Sequence, residues 1–124
     1  MPSRKEIQAF RVLLEDVGLN LDRSLWAKQQ GTRGWSKLIL DEAQEIIEAQ
    51  SPEHIGEELG DILWNTLTCI RVLEQEGGSP MEEIFLGIAK KIRYRKPWIF
   101  EDRVTALSPE EENKLWDKQK EKLK

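Results

Sequence analysis

SPEHIGEELGDILWNTLTCIRVLEQE, Ser51 to Glu76, decides the fold. Counting Thr66 with the apolar residues, Ile55, Leu59, Ile62, Leu63, Leu67, Ile70 and Leu73 recur at intervals of three and four. Only a helix gathers that spacing onto one side. Ser51 offers a hydroxyl to an orphan amide at the helix start. Pro52 suits the next position, because its ring presets φ and it has no N–H to leave unpaired. Gly77-Gly78 supplies the stop. The apolar face is wider than one short neighbouring helix can cover, which points to contact with a second copy.

Outward from this helix the same punctuation repeats. Ser79-Pro80 and Ser108-Pro109 each have a Glu three residues after the Ser, at Glu82 and Glu111, the spacing of a capping box. The pattern predicts an N-terminal helix from about Arg4 to Asp16 and a short helical turn near Ser24 carrying Trp26. Further helices are expected from about Trp35 to Gln50, from Pro80 to about Tyr94 and from Pro109 to Lys124. The last has little apolar content and is expected to lie peripherally or fray. Arg95 to Leu107 reads as an ordered loop anchored by Pro97, Trp98, Ile99 and Phe100. No stretch alternates with period two and none repeats, so the expected class is an all-α bundle.

The whole chain of 124 residues is expected to form one domain, with residues 1–24 as an N-terminal helix and linker and 109–124 as a peripheral helix. Hydrophobic residues make up 39%, enough for a core, and five Trp argue against a disordered chain. The formal charge of −4 argues against a nucleic-acid binder. A single cysteine, Cys69, excludes an internal disulfide, and a single histidine, His54, leaves no His cluster. His54 is expected to be solvated and Cys69 to be a small core side chain. No run approaches the roughly 18 apolar residues of a membrane span, and no signal segment follows Met1, so the expected setting is cytoplasmic.

Two helices carry carboxylates at i, i+3: Glu42 with Glu45, and Glu58 with Asp61. At about 100° per residue each pair sits roughly 60° apart. Each pair borders its helix's apolar stripe, and Asn65 continues the second one turn on. A lone pair of this kind is usually a solvated face. Two pairs beside buried stripes on consecutive helices would repel one another into neutrality unless a cation lay among them. Donors that are all oxygen suit a hard ion, Mg²⁺ or else Mn²⁺. The segment Lys90-Lys91-Ile92-Arg93-Tyr94-Arg95-Lys96 packs five cations at a helix end, more than the helix dipole calls for. Arg forks and Lys point charges match phosphate oxygens. Acids for Mg²⁺ and cations for phosphate describe a site for a polyphosphate ester, with metal-assisted attack of water on phosphorus. No Gly-rich phosphate loop offers an ATPase or kinase reading.

The ordered set of motifs resembles the MazG-type all-α nucleoside triphosphate pyrophosphohydrolases. The acidic pairs are similar to the family's Glu-Glu-x-x-Glu and Glu-x-x-Asp signature, and Glu57-Glu58-Leu59-Gly60-Asp61-Ile62-Leu63 to its Glu-Glu-Leu-Gly-Asp-Leu-Leu. Trp26-Ala27-Lys28-Gln29-Gln30 resembles the family's Trp-Asp-x-x-Gln-Thr lead-in. Lys91, Arg95, Pro97, Ile99 and Phe100 resemble its Lys-x-x-x-Arg-x-Pro-His-Val-Phe segment, and the Trp116 region resembles its closing helix. The resemblance covers roughly Leu25 to Lys124. It implies hydrolysis of an NTP or dNTP to monophosphate and pyrophosphate in a bundle completed by homo-oligomerisation, as a dimer or tetramer. It implies Glu42, Glu45, Glu58 and Asp61 as Mg²⁺ ligands and catalytic residues, and Lys91 and Arg95 as phosphate contacts. Asn65, Lys28 and Trp26 would border sugar or base. Asp41, Ala27, Gly31-Thr32, Lys96 and Trp98 depart from the family pattern, which leaves base preference open. The general base is equally open. A dimeric dUTPase or phosphoribosyl-ATP pyrophosphohydrolase is the nearest alternative, and a non-catalytic nucleotide-binding module the next.

Overall fold

A computed structural model describes residues 1–101 and 107–122. All regular structure among them is helical: α1 (Arg4–Arg23), α2 (Leu25–Gln29), α3 (Gly31–Glu48), α4 (Pro52–Gln75), α5 (Met81–Arg95), a 3-10 turn (Pro97–Phe100) and α6 (Pro109–Lys122). No described helix is long and apolar enough to cross a membrane. The chain divides into two compact units, Met1–Met81 and Glu82–Lys124.

Local hydrogen bonding fixes the ends of the helices in the first unit. Ser3 and Glu6 form a capping box at the start of α1, Ser3 Oγ accepting the Glu6 amide at 3.0 Å and Glu6 Oε1 the Ser3 amide at 2.8 Å. α1 runs seven residues past the expected Asp16, to Arg23. Gly18 costs a helix interior about 1 kcal/mol against Ala. Burial of Val17 and Leu21, one turn apart, outweighs that cost. Ser24 then both ends α1 and caps α2, its Oγ accepting the Ala27 amide at 3.1 Å.

α3 starts at Gly31 rather than at Trp35. Gly31 has φ +65°, which glycine adopts without strain. The cap of α3 comes from across the fold. Thr32 donates its amide (3.3 Å) and hydroxyl (2.6 Å) to the Glu76 carboxylate at the far end of α4. α4 begins as expected, with Ser51 Oγ accepting the His54 amide at 3.2 Å and Pro52 in the first turn. It ends in a Schellman arrangement. Gly78 N–H bonds to Leu73 C=O (2.8 Å), Gly77 N–H bonds to Glu74 C=O (3.1 Å), and Gly77 takes φ +93°.

The Ser79–Glu82 box expected at α5 is not formed among the described contacts. Glu74, itself held by Arg71 at 3.0 Å, accepts the Met81 amide at 2.9 Å instead. The core of this unit gathers Val17, Leu21, Ala27, Trp35, Leu67, Val72 and Met81. Trp35 is 2% exposed and donates its indole N–H to Ala27 C=O at 3.3 Å. That bond removes the penalty of burying the N–H. α3 and α4 lie side by side, joined by the three-residue link Ala49, Gln50 and Ser51.

In the second unit α6, which has no buried residue, lies peripherally and is tied to the end of α5 by side-chain contacts. Its first turn carries the expected Ser108–Glu111 capping box. Gln119 donates to Tyr94 C=O at 2.8 Å, and Trp98 Nε1 donates to Glu112 at 3.1 Å. Arg95 and Lys96 each lie 5.4 Å from the centre of the Trp116 ring, and Arg93 lies 4.3 Å from that of Phe100. These contacts draw on ring quadrupole and cation charge together. The expected loop contains the 3-10 turn Pro97–Phe100. The remainder of that loop at 102–106, and the helix end at 123–124, lie outside the described residues.

Candidate metal centre

The i, i+3 spacing on α4 puts Glu58 and Asp61 on one face, and α3 presents Glu42 to them. One carboxylate oxygen from each of Glu42, Glu58 and Asp61 lies within 4.8 Å of the others. Glu58 is 8% exposed. Glu42 Oε2 and Glu58 Oε2 are both buried without a hydrogen-bond partner. A buried carboxylate oxygen with no donor is costly, and two at one place more so. The donor set, all carboxylate oxygen and partly desolvated, fits a hard divalent cation.

The same crowding shifts the pKa values of the cluster. Glu42 is pushed up to about 7, first by the Glu58 carboxyl it faces, then by burial and by the charges of Glu45, Glu58 and Asp61. Glu45 is raised as well, mainly by its contact with Glu58 and by that group's charge. Glu58 is lowered, because Glu42, Glu45 and His54 all offer it hydrogen bonds. Without a cation, then, ionisation is disfavoured at Glu42 and Glu45 and favoured at Glu58.

Glu45 therefore flanks the convergent group through Glu58 rather than sitting within it. Asn65 follows Asp61 by one turn of α4 and is 9% exposed. Trp26 on α2 is exposed and meets buried Trp35 edge to face, with ring centres 5.6 Å apart. Lys28, on the same short helix, is exposed. Lys91 and Arg95 belong to the second unit, where Lys91 is exposed and Arg95 packs on Trp116.

One residue was missed by the reading of the sequence. His54, expected to be solvated, places Nε2 3.2 Å from Glu58 Oε1 while its side chain stays half exposed. The i, i+4 interval between His54 and Glu58 carried that signal.

Fold and acidic cluster together define an all-α domain with a candidate site for a hard cation, and the family is given by comparison with known proteins. The MazG nucleotide pyrophosphohydrolase domain family matches residues 30–100, and the chain belongs to that family. The solved structure of a mazG-related protein from Thermotoga maritima superposes with a TM-score of 0.80. It is 27% identical, with 90% of this chain and 98% of that one covered. The uncharacterized protein YabN of Bacillus subtilis (strain 168) is 30% identical over 101 residues, which is 78% of this chain. The chain spans only 20% of the length of that relative.

Proposed function

We propose that the chain acts as a single MazG-like domain that hydrolyses a nucleoside triphosphate, NTP or dNTP, to the monophosphate and pyrophosphate. Water adds to phosphorus, and the bond to the departing pyrophosphate breaks. The observation that carries the reading is the pair of buried, partnerless oxygens, Glu42 Oε2 and Glu58 Oε2, beside Asp61. A purely structural helix pair has no use for such atoms.

Glu42, Glu58 and Asp61, with Glu45 alongside, would hold Mg²⁺, or Mn²⁺ in its place. When bound, the ion offsets charge building on the phosphoryl oxygens and makes water a better nucleophile. Glu58, almost buried and held by His54, anchors the group. Lys91 and Arg95 bind phosphate oxygens through charge-assisted hydrogen bonds. Trp26, Lys28 and Asn65 border the nucleoside. A homo-oligomer, dimer or tetramer, covers the apolar positions left open on α3 and α4. The cytoplasm is the proposed setting.

The test is pyrophosphate release from a panel of NTPs and dNTPs with Mg²⁺, beside Glu58→Ala and Asp61→Ala. Monophosphate and pyrophosphate in equal amounts, lost by at least a hundredfold in both variants, are expected. A folded protein that Mg²⁺ stabilises but that turns over no triphosphate would count against this substrate class and favour a binding module.

A further inference from the structure

We propose that His54 is a positioning residue of this centre: its ring N–H holds one oxygen of Glu58 and leaves the other for the cation. The inference rests on the proposed role of Glu58 as a ligand. Its observations are local to the first two turns of α4. Ser51 caps the helix by accepting the His54 amide at 3.2 Å, which fixes the backbone from which the ring projects. One turn later the ring's Nε2 meets Glu58 Oε1 at 3.2 Å.

In this proposal the proton of the 3.2 Å contact sits on Nε2, and Glu58 Oε1 accepts it. The two Glu58 oxygens then have separate tasks. Oε1 is engaged by His54, and Oε2 is buried with no donor from outside the acidic cluster. A carboxylate held by one oxygen does not have to lose its rotation when it binds a cation, and hydrogen bonds of this kind tune ligand affinity. His54 is not itself one of the convergent groups, which among the described residues are Glu42, Glu58 and Asp61. The ring acts through Glu58, not on the ion.

As the chain's only histidine, His54 can be tested cleanly. Mn²⁺ affinity of the full chain would be measured by electron paramagnetic resonance for the wild type, His54→Ala and His54→Gln. Turnover and the melting temperature without metal would be measured beside it. We expect His54→Ala to weaken Mn²⁺ binding roughly tenfold, with the metal-free melting temperature nearly unchanged. The amide of His54→Gln, at the same i, i+4 reach, should restore most of the affinity. Raising Mn²⁺ tenfold should recover kcat in His54→Ala. Equal Mn²⁺ affinity in wild type and His54→Ala overturns this inference and leaves the proposed function standing. A loss that follows the melting temperature, unrescued by Gln, overturns it in favour of a structural role. A wild type that binds no Mn²⁺ overturns the metal centre itself, and His54's role with it.

Discussion

Glu42 is where the cost of the site is concentrated. Its pKa of about 7 stands above the ordinary 4.5, and Glu45 is raised too. A raised carboxyl favours the fold while it is neutral. That contribution is complete below pH 4.5 and is lost as pH climbs through about 7. The lowered Glu58 acts in the opposite sense, but its contribution is lost only in acid, below that window. In EDTA the melting temperature should therefore fall between pH 5 and pH 8, and millimolar Mg²⁺ should reverse much of the fall. A flat profile in EDTA would contradict the convergence of acids. Glu42→Gln removes a charge and gives Glu58 an amide donor, so the metal-free protein should melt higher, respond less to Mg²⁺ and turn over at least a hundredfold slower. Stability and activity would move in opposite directions, as expected of a strained functional site.

Thr68 makes a contrasting case, because it is 0% exposed and its hydroxyl also has no partner. No ligand chemistry is assigned to it. Thr68→Val should be neutral or stabilising by up to about 1 kcal/mol in thermal or denaturant unfolding, since a buried orphan hydroxyl is replaced by a methyl group.

The elements are held by side chains that reach across the fold. α3 has no side-chain cap from its own N-cap residue, Gln30. Glu76, 44 residues downstream, takes the Thr32 amide and hydroxyl in its place. The bonds join the first turn of α3 to the end of α4, and so help set how the two acid-bearing helices align. Glu76→Ala should cost about 1 kcal/mol, the usual worth of a lost N-cap. It should also raise the KM for metal more than Ser108→Ala does, a variant that removes an N-cap of the same kind from α6, which carries no assigned ligand. Equal effects of the two variants on the metal requirement would show that Glu76 contributes stability alone. In the second unit Glu112 works in a similar way, accepting from Trp98 and standing 3.9 Å from Lys96, so that α6 braces the end of α5.

For the whole molecule the open question is what covers the apolar side chains that the chain leaves in water. Leu40 (70%) and Ile47 (76%) on α3, and Leu59 (51%) and Leu63 (42%) on α4, are exposed. Leu59 and Leu63 stand one turn apart on the helix that also carries Glu58 and Asp61. Exposed apolar side chains of this kind suit the proposed contact with a second copy. Leu63→Glu should shift sedimentation equilibrium toward monomer and lower activity in proportion. A variant that sediments like the wild type would place the interface elsewhere.

Much of this was legible in the residues. Ser51-Pro52 and Ser108-Pro109 marked their helix starts, and Gly77-Gly78 marked a stop, because caps are hydrogen bonds between near neighbours in sequence. The acidic pairs were legible for the same reason, since helical spacing alone puts Glu58 and Asp61 on one face. Even the His54–Glu58 contact lay within one turn and was open to reading. Residues 4–16 gave only part of α1, because its last seven residues are helical through burial of Val17 and Leu21. The start of α3 depends on Glu76, and no local pattern predicts a cap 44 residues away. Which acids converge was likewise a tertiary matter: α3 brings Glu42 into the group and leaves Glu45 at its flank. Sequence by itself determined the elements and the kinds of side chain each displays, through interactions that span one or two turns. Only the packing of helix on helix decided which oxygens are buried without partners, because desolvation depends on what neighbouring elements cover.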